Sequence, residues 1–210
     1  DGQQRLTTTI ILIQCILERI GDNEINYTTP TEIRKKFIYE SKDKGISRSY
    51  LFGYEIDNPS YEFLKKVIFN EPSDNQGILQ ETIYTNNLIN AKEFFNENLK
   101  DLTIEEIEEV YTKITQNLLF NIYSMSDEID VHVSFETMNN RGKPLSHLEL
   151  LKNRLIYLST KIDSDEYEKN KLRTAINECW KTVYHQLGRN KEKPLDDDVF
   201  LFNHFILFYG

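Results

Sequence analysis

Apolar residues dominate the start of the chain. Between Leu6 and Ile20 they include Ile10, Ile11, Leu12, Ile13, Ile16, Leu17 and Ile20. Its length favours a helix over a buried strand. Gly21 stands where a left-handed C′ residue ends a helix. Apolar positions cover most of the circumference, so the helix is expected to be central and buried. Thr29-Pro30-Thr31-Glu32 predicts an N-terminus, with a capping Thr, Pro at the first helical position and Glu at the third. That helix is expected to run to about Glu40. Ser41 to Ser49 is polar and reads as a loop, and Tyr50 to Ile56 as a short strand. Asn58-Pro59-Ser60 opens a helix to about Asn70, and Glu71 to Gly77 is the clearest internal loop.

Further helices are predicted from about Thr82 to Leu99 and from about Ile104 to Asn117. Leu118 to Met125 is a strand candidate. Ile129, Val131, Val133 and Phe135 alternate as in a strand, but the same stretch fits a short helix capped by Ser126 or Asp127. Ser146 and Glu149 form a capping-box pattern before a helix to about Thr160. On it Leu148, Leu151, Leu155 and Leu158 share the core side. Glu166 to Leu187 carries Leu172, Ile176, Trp180, Val183 and Leu187 at helical spacing, closed by Gly188. Asp196-Asp197-Asp198 precedes an apolar segment from Val199 to Tyr209. The expected fold is mainly α (α+β), a multi-helix domain with a few short strands.

Composition fits a globular chain: 39% hydrophobic and 28% charged over 210 residues, with 12 Tyr and 12 Phe to fill a core. The formal net charge of −9 argues against a broad grip on a nucleic-acid backbone. Cys15 and Cys179 both sit in apolar periodic stretches and read as buried thiols, without zinc spacing or a disulfide framework. A reducing cytoplasm suits them. The run Ile10 to Ile13 is too short to span a bilayer, and no signal peptide is visible.

Two segments could carry chemistry. Asp1-Gly2-Gln3-Gln4-Arg5 runs into the first helix. Backbone N–H groups at a helix start, with the helix dipole behind them, bind phosphate. Arg5 adds charge-assisted contacts, and Thr7, Thr8 and Thr9 add hydroxyls. Pattern alone favours a plainer role, with Asp1 as N-cap and Gln4 reaching back to it. The second segment is Phe135-Glu136-Thr137-Met138-Asn139-Asn140-Arg141-Gly142-Lys143-Pro144-Leu145. Asn amides can read a base edge or ribose, and Arg141 or Lys143 can meet a phosphate. An ordinary Asn-Gly turn before a helix explains the same residues. Lys152 lies on the following helix, where a solvated lysine is the default. His132, His147, His185 and His204 show no metal-ligand spacing. The acidic group Glu105-Glu106 with Glu108-Glu109 reads as a solvated helix face.

Together, D-G-Q-Q-R-L-T-T before an apolar helix and F-E-T-M-N-N-R-G-K-P-L-S-H-L-E-L-L-K-N far downstream resemble the N-terminal domain family of GmrSD-type restriction endonucleases. The resemblance covers nearly the whole chain and includes Trp180 and the segment Asp196 to Leu201. It implies a single domain over 1–210: the D-G-Q-Q-R turn and buried helix at 1–20, a helical region at 21–125, the second motif and its helix at 126–162, and C-terminal helices at 163–210. The first part is expected to be the remnant of a ParB/sulfiredoxin-like segment. The family is implied to bind and hydrolyse nucleoside triphosphates with Mg2+, which regulates cleavage of modified DNA. Cleavage itself would belong to a separate HNH-type nuclease domain or partner chain.

Carried over, Asp1 and Arg5 are the catalytic candidates. Asp1 would orient a metal-bound water or Arg5, or act as general base, and Arg5 would stabilise phosphate charge. Gly2, Gln3, Gln4, Asn139, Arg141, Gly142 and Lys152 are the nucleotide-binding candidates, with Lys152 the weakest. No protein metal ligand is assigned. DNA would be met only indirectly, no membrane contact is expected, and a homo-oligomer fits the picture. The family's strands and a Gln-Arg-aromatic motif normally precede D-G-Q-Q-R, so part of the nucleotide site is expected outside this sequence and little activity from it alone. The alternative is a non-catalytic sensor or interaction domain that recognises modified DNA or docks a nuclease. A plain helical scaffold, with both motifs as caps, is the third reading.

Overall fold

The computed structural model describes residues 2–42, 47–53, 60–71, 82–120 and 145–210. The chain divides into two compact units, Asp1–Asn121 and Ile122–Gly210.

In the first unit, helix α1 spans Gly2–Ile20. It begins four residues before the predicted Leu6, so Gly2 to Arg5 form its first turn, where the plainer reading put them, rather than the turn ahead of it that the resemblance implies. Gly21, at φ +60°, takes the left-handed position that ends it. Asn23 closes the end by donating both its backbone N–H and its side-chain amide to the Ile20 carbonyl. Helix α2, Pro30–Phe37, opens on the predicted capping box: Thr29 N–H donates to Glu32 Oε2 at 2.8 Å, and Glu32 N–H donates to Thr29 Oγ1 at 3.3 Å.

Strands then replace the predicted end of this helix and the predicted polar loop. β1, Tyr39–Lys42, pairs antiparallel with β2, Ser47–Tyr50. Of the predicted strand Tyr50 to Ile56, only Tyr50 is strand; residues 51–53 are irregular and 54–56 lie outside the described residues. The hairpin has no apolar alternation to betray it. Its register is held at one end, where Tyr39 faces Tyr50 with ring centroids 5.8 Å apart and Tyr50 stacks on Phe69 at 5.7 Å.

Helix α3, Tyr61–Phe63, continues as a π turn, Leu64–Ile68. Helix α4 is Ile83–Leu99, capped by Thr82, and α5 is Ile104–Thr112, capped by Thr103 and continued by a π turn, Lys113–Asn117. These match the predicted spans. Ile11, Ile13, Cys15, Ile16, Leu17 and Ile20 of α1 form the centre of the core, joined by Ile33, Phe63, Ile68, Leu88 and Ile107. Burial of α1 follows from its apolar circumference.

The second unit has three described helices: α6, His147–Lys161; α7, Glu166–Leu187; and α8, Asp197–Tyr209. Its core is Leu148, Trp180 and Leu187, flanked by Leu151, Leu155, Ile176 and Phe200. Trp180 Nε1 donates to the Leu148 carbonyl at 3.1 Å. Leu158 and Leu172, predicted inward, are exposed. Cys179 is exposed as well, contrary to its predicted burial. It neighbours Trp180 in sequence, and one step along a helix turns a residue about 100° from the core-facing stripe. Residues 118–120, in the first strand candidate, are not strand. The rest of that candidate, the alternating stretch at 129–135 and most of the loop at 71–77 lie outside the described residues. The described fold is mainly α, with one two-stranded sheet.

Candidate functional site

The first motif sits at the amino end of α1. Gly2, Gln3, Gln4 and Arg5 are all exposed. The first N–H groups of a helix have no acceptor in its own ladder, and those of Gly2, Gln3 and Gln4 stand at the positive end of the dipole. The first turn of α1 contains no acidic residue. Thr7, Thr8 and Thr9 do not serve as predicted. Each donates its hydroxyl to the carbonyl four residues back, on Gln3, Gln4 and Arg5, at 2.8–2.9 Å. They tie the exposed turn to the buried one and have no proton left to donate to a ligand.

Farther along α1, toward its carboxyl end, lies a polar network that the sequence reading missed. Glu18 Oε1 accepts from Gln14 Nε2 at 2.8 Å and from Asn70 Nδ2 at 2.8 Å, and pairs with Lys92 Nζ at 2.9 Å. Lys92 Nζ also donates to the carbonyls of Val67 and Ile68, at 3.1 and 2.8 Å, and to Asn70 Oδ1 at 3.3 Å. It thereby satisfies carbonyls at the end of the π turn and ties α3 and α4 to α1. One signal was present: Lys92 shares the apolar stripe of α4 with Leu88, Phe95 and Leu99. Beside it, burial and the Glu18 charge push the Cys15 thiol up to about 12, which leaves it inert as a nucleophile.

In the second unit Lys152 is half-buried on α6 rather than solvated, and burial alone pulls its pKa down. No carboxylate pairs with it among the described residues. The start of α6 is very different from that of α1. The predicted capping box is formed, with Ser146 N–H donating to Glu149 Oε2 at 2.9 Å. Two carboxylates from α8 join it. Asp198 Oδ1 accepts from His147 N–H at 2.7 Å, its Oδ2 lies 2.8 Å from His147 Nδ1, and Asp197 Oδ2 accepts from Ser146 Oγ at 3.2 Å. The hydrogen bonds to His147 hold the Asp198 carboxyl below its ordinary value, whereas burial raises Asp197. Three carboxylates therefore occupy this helix start, and a phosphate would be repelled there. The groove of about 300 Å3 on α5 is also unsuited to an anion, because Glu105, Glu108 and Glu109 line it. Among the described helix starts, that of α1 combines an exposed first turn, an arginine and no acid within that turn.

Asp1, Asn139, Arg141 and Gly142 lie outside the described residues. Gly2, Gln3, Gln4 and Arg5 come together on one helical turn of the first unit, and Lys152 belongs to the second. No group of three or more His, Cys, Asp or Glu side chains converges as a metal site among the described residues.

Compared with known families, residues 1–156 match the model of the GmrSD restriction endonuclease, N-terminal domain. The chain belongs to this family. No curated protein and no solved structure matches it. The match covers most of the chain, including both motifs, so this GmrSD N-terminal domain is a restriction-endonuclease-associated domain. None of its described helices is long and apolar enough to cross a membrane.

Proposed function

We propose that this GmrSD N-terminal domain is a nucleotide-binding, NTPase-type regulatory domain of a modification-dependent restriction endonuclease. DNA cleavage would be supplied by a separate HNH-type domain or partner chain, in the cytoplasm. The observation that carries the reading is the start of α1, where family membership and local electrostatics point the same way. Backbone N–H groups of Gly2, Gln3 and Gln4 would face the phosphates, and Arg5 would offset their charge. Phosphoryl transfer to water needs chiefly positioning and charge stabilisation, which such a turn can offer. Asp1 would orient the water or take its proton.

The described residues place no carboxylate at this turn, so they provide no protein ligand for magnesium. The ion would travel on the triphosphate's own oxygens, and no step here depends on it. The net charge of −9 supports indirect rather than direct DNA contact.

Thermal shift with each of the four common triphosphates, with and without Mg2+, tests the reading. At [NTP] of about 100 times Kd, binding stabilises by about 2.7 kcal/mol. The shift, measured against each protein's own ligand-free Tm, should vanish in Arg5→Ala. An unshifted wild-type protein with all four nucleotides, or a full shift in Arg5→Ala, overturns it.

A further inference from the structure

We draw no further inference here: the strongest candidate, the groove on α5 lined by Glu105, Glu108 and Glu109 beside the turn that presents the exposed Tyr27 and ties Asn26 to Thr112, is a cluster of acidic residues with nothing among the described residues to show what would fill it.

Discussion

Replacing Lys92 with Met tests whether the polar network under α1 stabilises the first unit. The substitution keeps most of the aliphatic stem and removes the ammonium. What is lost is an ion pair at 2.9 Å with Glu18 and hydrogen bonds to two backbone carbonyls and to Asn70. Removing one partner of a fully buried pair costs about 3–5 kcal/mol. Here the Lys92 side chain is 13% exposed and that of Glu18 28%, and Glu18 keeps its bonds from Gln14 and Asn70. The expected loss is therefore smaller, about 2–3 kcal/mol, equivalent to a fall in Tm of roughly 5–10 °C. Urea unfolding followed by far-UV circular dichroism measures it. Emission from Trp180 is the wrong probe, because that residue lies in the other unit's core. Glu18→Gln in the Lys92→Met background should recover about 1 kcal/mol by removing the stranded charge. If Lys92→Met stays within ~0.5 kcal/mol of wild type, the network is incidental and the reasoning fails.

In native protein at pH 8 a thiol reagent should modify Cys179 alone, and both cysteines in denaturant; rapid native labelling of Cys15 would contradict its burial. Because folding raises the Cys15 pKa from 9.0 to about 12, its contribution to stability is complete below pH 9 and is lost as pH rises from 9 to about 12. The Cys15→Ala variant should show a flatter alkaline limb in a plot of Tm against pH. At the start of α6 the two aspartates should behave oppositely. Asp198, lowered by its bonds to His147, supports the fold above its ordinary pKa and loses that role in acid. Asp197, raised by burial and by neighbouring carboxylates, is better tolerated in its protonated form. Asp198→Asn should thus lower Tm at neutral pH, and Asp197→Asn should leave it unchanged or raise it; equal losses from both would refute this division of roles.

Helices were legible wherever a cap and a period coincided. Thr29 and Ser146 each open a helix with the predicted capping box, because a cap is a local bargain among four consecutive residues; Thr82 and Thr103 cap the next two helices in the same way, although only the spans of those helices were predicted. The hairpin Tyr39–Lys42 with Ser47–Tyr50 was not legible: its middle is polar, and its order comes from the distant Phe69. Cys179 was misplaced for a similar reason, since one position along α7 separates a core residue from a solvent-facing one. The first motif was found as residues but not as geometry. The resemblance implied a turn at Gly2 to Arg5, whereas the plainer reading put them in the first turn of a helix behind Asp1, and they are helical, so what they can offer is a helix end rather than a loop cradle. The long-range contacts of Glu18, Asn70 and Lys92 left only one trace, a lysine within an apolar stripe.

The caps on α6 come from both ends of a long stretch of chain. Ser146 and His147 are held by Asp197 and Asp198, fifty-one residues downstream. Recombinant fragments that stop inside or just after α6 would thus lose the groups that close its first turn. They would also expose Leu148, which needs Trp180 against it. The shortest soluble piece carrying this helix should run past Asp198, so a boundary for expression has to be drawn by hydrogen bonds rather than by motif.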